Sequence, residues 1–186
     1  MAEAGAIPNA PQAPALLKRR SLLPSFLKQL LQCLLVVVLA AGSYYLISRY
    51  LVTSVRVVGS SMVPTLHNSD YYLLNRWIYH FREPKRGDVV VLRDISGNCF
   101  AVKRIVAVGG DALYMKDGQV YLNGKKLNEP YLAPGTFTFP MGSGRNQLIM
   151  CGKDHFFVMG DNRMNSADSR VYGAIPREDI LGMVVR

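Results

Sequence analysis

The hydrophobic positions divide the chain into one long apolar stretch near its start and a series of short apolar runs after it. From residue 30 to residue 47, 18 consecutive residues carry no formal charge. As an α-helix this stretch would be about 27 Å long, close to the thickness of the hydrocarbon core of a bilayer. Arg49 can snorkel to the headgroups from the helix end, and Tyr50 suits the interface. The pattern predicts a transmembrane anchor over residues 29–52.

Two other interpretations of the apolar stretch stay open, a cleavable signal peptide and a buried core helix. The small residues Ala40 and Gly42 before Ser43 resemble a signal peptide cleavage site. The stretch is, however, longer than the roughly 7 to 15 residues typical of a signal peptide core, which favours a retained anchor.

The charges on either side of the stretch predict its orientation. Only Arg49 follows it closely, whereas four basic residues precede it: Lys18, Arg19, Arg20 and Lys28. The basic flank stays in the cytoplasm, so the rest of the chain is predicted to be exported. Residues 1–17 are rich in alanine and contain three prolines, and we expect residues 1–28 to form a disordered cytoplasmic tail.

After residue 52 the pattern changes to short β-branched runs separated by Gly, Pro, Asn and Asp, without a long helical period. The runs are Ser54 to Val58, Asp88 to Arg93, Phe100 to Val108 and Phe156 to Met159. Asp117-Gly118 and Asn123-Gly124 have the composition of tight hairpin turns. Residues 53–186 are therefore predicted to form one mainly β, antiparallel domain. Residues 129–144 are expected to be an extended excursion, and residues 77–81 are a candidate for a short helix.

Composition and charge limit the kinds of binding partner that suit the chain. The chain has 186 residues, 49% of them hydrophobic, and a formal net charge of +9, of which residues 1–28 carry +3. The other +6 lies on a domain predicted to be exported and tethered to lipid, so phospholipid or exported protein is a more suitable partner than nucleic acid. Three cysteines without C-x-x-C spacing do not suggest a zinc site. Export would permit a Cys99–Cys151 disulfide, which the sequence does not decide.

A candidate nucleophile follows the first β-branched run. Gly59 permits a tight turn that would expose the Ser61 hydroxyl, although Ser-Ser before a proline is commonly just a turn. A serine nucleophile needs a base, and none of the three histidines lies in a supporting pattern.

Lys103 is a better candidate for the base. Its side chain, with a reference pKa of about 10.4, must be desolvated to be neutral near pH 7. Strand alternation predicts an apolar face that it shares with Ala101, Ile105 and Ala107. A lysine on a half-exposed strand is the ordinary alternative.

A third polar segment runs from Gly160 to Arg170. It can form Asx turns and internal ion pairs, and one of its hydroxyls could orient a lysine amine, although a structural loop would have the same composition.

These segments, in this order behind an N-terminal anchor, closely resemble type I signal peptidases, the membrane serine proteases with a Ser-Lys dyad. The resemblance covers nearly everything from Leu30 to the C-terminus and rests on four stretches: Ser61 to Leu66, Arg86 to Val91, Lys103 to Asp111, and Gly160 to Arg170. It implies the antiparallel β catalytic fold shared with self-cleaving repressors, no cofactor and no metal. It also implies a single-pass protein of the bacterial cytoplasmic membrane with the catalytic domain outside.

The resemblance further implies the site residues. Ser61 corresponds to the nucleophile, Lys103 to the general base and Ser166 to the serine that orients the lysine. Asp168 and Arg170 match structural ion-pairing positions, and Asp161 and Asn162 belong to the loop that shapes the site. Some members use a serine two positions before the nucleophile for the oxyanion hole. Here that position is Gly59, which leaves main-chain donors, chiefly the Ser61 N–H, with Ser60 as a further candidate.

The implied substrate is an exported preprotein bound as an added strand, with small residues at P1 and P3. The predicted cleft residues are Val57, Val58, Gly59, Met62, Ala101 and Val102. Membrane phospholipid and the protein translocation machinery are the other expected partners. Two alternatives stay open: a non-catalytic, membrane-tethered β-domain that binds envelope proteins, and a peptidase dedicated to a narrow set of substrates.

Overall fold

A computed structural model describes residues 24–46, 52–93, 99–141 and 148–185. The predicted cytoplasmic tail therefore lies almost wholly outside the described residues. The chain separates into two compact units, residues 1–42 and 43–186, and each is considered by itself.

The first element is a helix, α1, Ser25–Leu46. It begins directly after Pro24, whose carbonyl accepts from the Leu27 N–H at 2.9 Å. None of its residues is buried, and its mean hydropathy reaches 1.8. Among the described residues it is the one helix that is long and apolar enough to cross a membrane. A signal sequence meets the same criteria of length and composition. Val52, the last residue of the predicted anchor, pairs with Asn75 as the first residue of a β-strand.

The rest of the described chain is mainly antiparallel β, as predicted. The strands are β1 Val52–Arg56, β2 Tyr71–Asn75, β3 Val89–Arg93, β4 Phe100–Val108, β5 Ala112–Lys116, β6 Gln119–Leu122, β7 Lys125–Lys126, β8 Ile149–Met150, β9 His155–Met159, β10 Ile175–Pro176 and β11 Ile180–Val185. Two short helices, α2 Ile78–Phe81 and α3 Ser169–Tyr172, and a 3₁₀ turn, Arg177–Asp179, complete the regular elements.

Seven strands form a large sheet in the order β1-β2-β11-β3-β4-β9-β10, and four form a small sheet in the order β7-β6-β5-β8. The small sheet is built on the two predicted turns. Asp117 and Gly118 have φ of 51° and 73°, and Asn123 and Gly124 have φ of 52° and 79°. Positive φ at both central residues is the requirement of the two-residue hairpin turn that matches strand twist. Both hairpins are thus confirmed.

Strand β4 connects the site to the core, and here one prediction was wrong. Ala101 and Ile105 pack with the same cluster, as the alternation predicted, but Ala107 is buried with Val106 in a different cluster. The pairing of β4 with β9 shifts register between Ile105 and Ala107. An extra residue at such a bulge interrupts the two-residue period, which periodicity alone does not reveal.

The structure also answers two questions that the sequence left open. Cys99 and Cys151 are both free, Cys99 exposed and Cys151 buried with its thiol donating to the His155 carbonyl at 3.1 Å. The described part of the predicted excursion, residues 129–141, contains turns but neither strand nor helix.

Candidate active site

Ser61 lies in a turn that the sequence builds directly after β1. Gly59 has φ of 109°, a conformation that favours glycine, and its N–H donates to Asn68 Oδ1 at 2.9 Å. The Val63 N–H donates to the Ser60 carbonyl at 3.2 Å, and Met62 is buried below the turn. The half-buried Ser61 is therefore held on a fixed, hydrogen-bonded turn.

Lys103 reaches this turn from β4. It pairs with Val90 of β3, and only 5% of it is exposed. Its Nζ lies 2.9 Å from Ser61 Oγ, although 42 positions separate the two residues in the sequence. The distance is well inside the range in which a base can take a proton from a hydroxyl. Burying a charged amine away from water is unfavourable unless hydrogen bonds or ion pairs compensate for the lost hydration.

Both side chains line an apolar cleft of about 640 Å³. Five of the predicted cleft residues line it: Val57, Val58, Met62, Ala101 and Val102. Gly59 is not among the lining residues and instead forms the turn. The sequence did not predict the contributions of other strands, such as Leu74 of β2, Val91 of β3 and Leu181 of β11. Strands β1 and β4 are separated by three strands, yet residues of both line the cleft, because the sheet curls.

The loop that follows β9 holds the serine turn by three hydrogen bonds. The Asn162 N–H donates to the Ser61 carbonyl at 2.9 Å, and Asn162 Nδ2 donates to the Ser60 carbonyl at 3.2 Å. Asn165 Nδ2 donates to Ser60 Oγ at 2.8 Å. Ser60 is not among the residues that line the cleft, and its hydroxyl accepts a hydrogen bond from the loop instead. Asn165 was not singled out from the sequence, since a polar loop residue gives no signal of its distant partner.

Gly160 allows this loop to approach the turn. A Cβ added there would lie 2.2 Å from Ser166 Oγ and 2.6 Å from the Ser61 carbonyl oxygen. Ser166 is buried against Gly160. Ser166 and the Ser61 main chain thus border the same glycine.

Asp168 and Arg170 form a buried ion pair behind the loop. Arg170 Nε donates to Asp168 Oδ1 at 2.8 Å, and Arg170 Nη2 donates to Oδ2 at 2.8 Å. The Gly160 N–H donates to the same carboxylate at 3.0 Å. Burial alone would raise the pKa of Asp168, but the bonds from Arg170 and Gly160 hold it below its usual value.

A second buried pair joins β4 to the loop. Arg104 Nε and Nη2 donate to the two oxygens of Asp161 at 2.9 and 2.7 Å. Arg104 Nη2 also donates to Thr65 Oγ1 at 3.3 Å, and Nη1 donates to the Gly87 carbonyl at 2.9 Å. The sequence placed Asp161 in the site loop but missed this partner, which directly follows Lys103. No group of three or more metal-ligating side chains was found among the described residues.

Comparisons with known proteins identify what the chain resembles. The sequence profile of a family described as signal peptidase, peptidase S26, matches residues 28–186. Signal peptidase I T of Bacillus subtilis (strain 168) is 37% identical over 151 residues, covering 78% of each chain. A signal peptidase I of Bacillus amyloliquefaciens is 40% identical over 143 residues, covering 72% of this chain and 74% of that one. The crystal structure of a signal peptidase I from Enterococcus faecalis V583 aligns with 22% identity and a TM-score of 0.48, over 56% of this chain and 98% of that one.

Proposed function

Because this chain belongs to the signal peptidase S26 family, we propose that it is a membrane-bound serine endopeptidase that removes N-terminal signal peptides from exported preproteins. The observation that carries the proposal is the 2.9 Å separation of Ser61 Oγ from Lys103 Nζ in the lining of an apolar cleft. A non-catalytic, membrane-tethered binding domain would have no use for a buried amine beside a serine hydroxyl.

In the proposed reaction, Ser61 Oγ attacks the carbonyl carbon of the scissile bond while its proton passes to the neutral Lys103 amine. The tetrahedral intermediate then breaks the C–N bond as the Lys103 ammonium returns the proton to the leaving amine. The acyl group stays on Ser61 as an ester. A water molecule, deprotonated by Lys103, cleaves this ester and releases the acid product. Because the reaction uses a neutral amine, we expect activity to be highest on the alkaline side of neutrality.

The remaining site residues have supporting roles in this proposal. Ser166 orients the amine, which is supported by its buried position against the glycine that also borders the Ser61 main chain. Asn162 holds the loop against the serine turn, and Asp161 holds it against Arg104 of β4. The Asp168–Arg170 pair stabilises the loop through the bond from the Gly160 N–H to Asp168. The Ser61 N–H is the main oxyanion donor. Ser60 Oγ already accepts from Asn165, which makes Ser60 a weaker candidate for that task.

The cleft supports a substrate bound as an extended strand. Its lining residues come from β1 and the segment after it, from β4 and from the strands between them, and most of the lining side chains are apolar. A peptide strand gains main-chain hydrogen bonds from such edges, while shallow pockets admit small side chains at P1 and P3.

We further propose the arrangement in the membrane. Residues 1–28 form a cytoplasmic tail, residues 29–52 contain the anchor, and residues 53–186 form the extracytoplasmic peptidase domain. Helix α1 and the basic residues before it support a single pass through the bacterial cytoplasmic membrane. Phospholipid and the translocation machinery would then be neighbours of the enzyme.

Cleavage of a preprotein by the full chain in detergent tests the function. A preprotein with alanine at P1 and P3 is expected to yield one new N-terminus, which N-terminal sequencing identifies. Changing the P1 alanine to leucine should lower kcat/KM by about 10- to 200-fold, since a pocket for a small group rejects extra methylenes by this amount. An uncut alanine substrate would contradict the proposal, and cleavage of just one among several unrelated preproteins would favour a dedicated peptidase.

Gly160 provides a second test, because its added Cβ would collide with main chain as well as with a side chain. Gly160→Ala is expected to displace Ser61 or Ser166 and to lower kcat by about 100-fold, the loss that a displacement near 1 Å can cause. The matched control is Gly152→Ala, whose added Cβ would have its nearest neighbour at 3.7 Å. Equal rates for the two variants would show that the close packing around Gly160 does not matter for the reaction.

A further inference from the structure

Glu129 belongs to the irregular segment 129–141, and its carboxylate is a junction that connects two arginines. It binds Arg163 directly, and it contacts Arg104 through Tyr131. Its side chain is 9% exposed. Oε1 accepts from Arg163 Nη2 and from the Tyr131 hydroxyl, the latter at 2.7 Å, and Oε2 accepts from Arg163 Nη1 at 3.2 Å. A buried carboxylate with three donors is an unusual feature for a segment without strand or helix, and neither the dyad nor the cleft requires it.

The first arm of this junction runs to the site loop. The Arg163 side chain is fully buried, and its Nε donates to the Gly160 carbonyl at 3.1 Å. Its Nη1 also donates to Thr138 Oγ1, at the other end of the irregular segment. Burial alone would lower the pKa of Arg163, but the hydrogen bonds that it donates to the Glu129 carboxylate raise this pKa above its usual value. The carboxylate therefore stabilises a cation that is bonded directly to the glycine beside Ser61 and Ser166.

The second arm runs to β4. The Tyr131 ring lies over the Arg104 guanidinium, with 4.0 Å from Cζ to the ring centroid. Burial and the Glu129 carboxylate raise the pKa of Tyr131, so its hydroxyl stays protonated and donates to Glu129. Arg104 directly follows Lys103 and binds Asp161 of the site loop. Both arms thus reach the loop, one at Gly160 and the other at Asp161.

We propose that Glu129 is a positioning residue, which holds the 160–166 loop in register with Lys103 through Arg163 and through the Tyr131–Arg104 contact. The expected effect of Glu129 on turnover rests on the proposed function, whereas its expected effect on the position of the loop does not depend on that function. Without the carboxylate, Arg163 would be a buried cation that has lost its ion-pair partner, and its guanidinium would shift toward water or another acceptor. The Gly160 carbonyl, bonded to that guanidinium, would shift with it.

The experiment compares Glu129→Gln, Glu129→Asp and the control Glu83→Gln in the full chain in detergent. Glutamine keeps the shape but turns an amide N–H₂ toward the guanidinium, whereas aspartate keeps the charge. Glu83 is a matched control, because its ion pair with Arg177 is long, at 3.9 Å, and its side chain is 86% exposed. Two quantities are measured: hydrogen exchange of the amides in residues 160–163, and kcat and KM for a preprotein.

For Glu129→Gln we expect the amides of Gly160 and Asn162 to exchange at least about 10-fold faster, with kcat lowered about 10- to 100-fold and KM changed less than about two-fold. Glu129→Asp should restore part of both losses, and Glu83→Gln should equal the wild type. Unchanged exchange and unchanged kcat in folded Glu129→Gln would overturn the proposal.

A double variant, Glu129→Gln with Arg163→Met, covers the case in which the single variant does not fold. Removing both charges relieves the buried cation, so stability should recover. A positioning role predicts that kcat stays low in this stable protein, whereas a purely structural role predicts that kcat recovers as well, which would refute the proposal. If the wild type cleaved no preprotein, the proposed function would fail, but hydrogen exchange at 160–163 would still decide the role of Glu129.

Discussion

Replacing Ser61 or Lys103 by alanine is expected to lower preprotein cleavage by about 10⁴-fold or more, the loss seen when a nucleophile or its base is removed from a serine protease. Without Ser61 Oγ no acyl-enzyme can form. Without Lys103, the hydroxyl loses the amine that lies 2.9 Å from it, and the leaving amine loses its proton donor. The two losses should not add in the double variant, since both side chains serve the same steps. Initial rates on one preprotein at fixed pH measure all three variants.

The matched controls for this prediction separate loss of chemistry from loss of charge or fold. Lys116→Ala removes an exposed lysine from β5 and should leave the rate unchanged. Lys103→Arg keeps the positive charge but cannot become neutral, so it should be as inactive as Lys103→Ala. Full activity in Ser61→Ala or Lys103→Ala would end the dyad proposal, and activity in Lys103→Arg would show that a neutral base is not required.

The second large effect concerns stability. Asp168→Asn is expected to lower the free energy of unfolding by about 3 to 5 kcal/mol, because it leaves the Arg170 guanidinium buried without its counter-ion. Arg170 Nε and Nη2 both donate to this carboxylate, and the Gly160 N–H donates to it as well. An asparagine keeps the shape but not the charge, so the loss measures the ion pair rather than a cavity.

The same pair predicts a dependence on pH. The pKa of Asp168 is lower in the folded protein than its usual value, mainly because the bonds from Arg170 outweigh the effect of burial. The unfolded chain therefore binds a proton at a higher pH than the folded chain. The contribution of Asp168 to stability is complete above the unfolded pKa of about 3.9 and is lost as the pH falls through the folded pKa. Asp168→Asn should lack this part of the loss at acidic pH.

Urea unfolding of the full chain in detergent, followed by the fluorescence of Trp77, the single tryptophan of the sequence, measures both effects. Asp154→Asn is the matched control, since Asp154 is exposed and its φ of 58° suits asparagine. A difference of less than about 1 kcal/mol between the two variants at pH 7 would contradict a buried ion pair of this kind.

The sequence predicted the features that depend on local chemistry. The two hairpins follow from Asp117-Gly118 and Asn123-Gly124, whose residues tolerate positive φ. The resemblance to type I signal peptidases directed attention to Ser61 and Lys103, which lie together in the structure. Their proposed roles stay predictions until the variants above are measured.

What the sequence could not predict depends on long-range geometry. The bulge in β4 has no sequence signal that periodicity detects, so Ala107 was placed on the wrong face. Arg104 and Asp161 are 57 positions apart, and neither residue alone indicates its partner. The same holds for Glu129 and Arg163, because a carboxylate in an irregular segment is usually solvated. The curl of the sheet is likewise a property of all seven strands, and it decides which side chains line the cleft.

The free cysteines have a practical consequence for measuring peptide binding by fluorescence. Cys99 is exposed and belongs to the cleft lining, whereas Cys151 is buried, and burial raises the pKa of its thiol. Cys33 of α1 is the third free cysteine and is exposed as well, so it is first replaced by serine. A thiolate is the reactive form, so a water-soluble maleimide dye should then attach to Cys99 and spare Cys151. Emission from a dye on Cys99 would report, in real time, the binding and release of a peptide in the cleft.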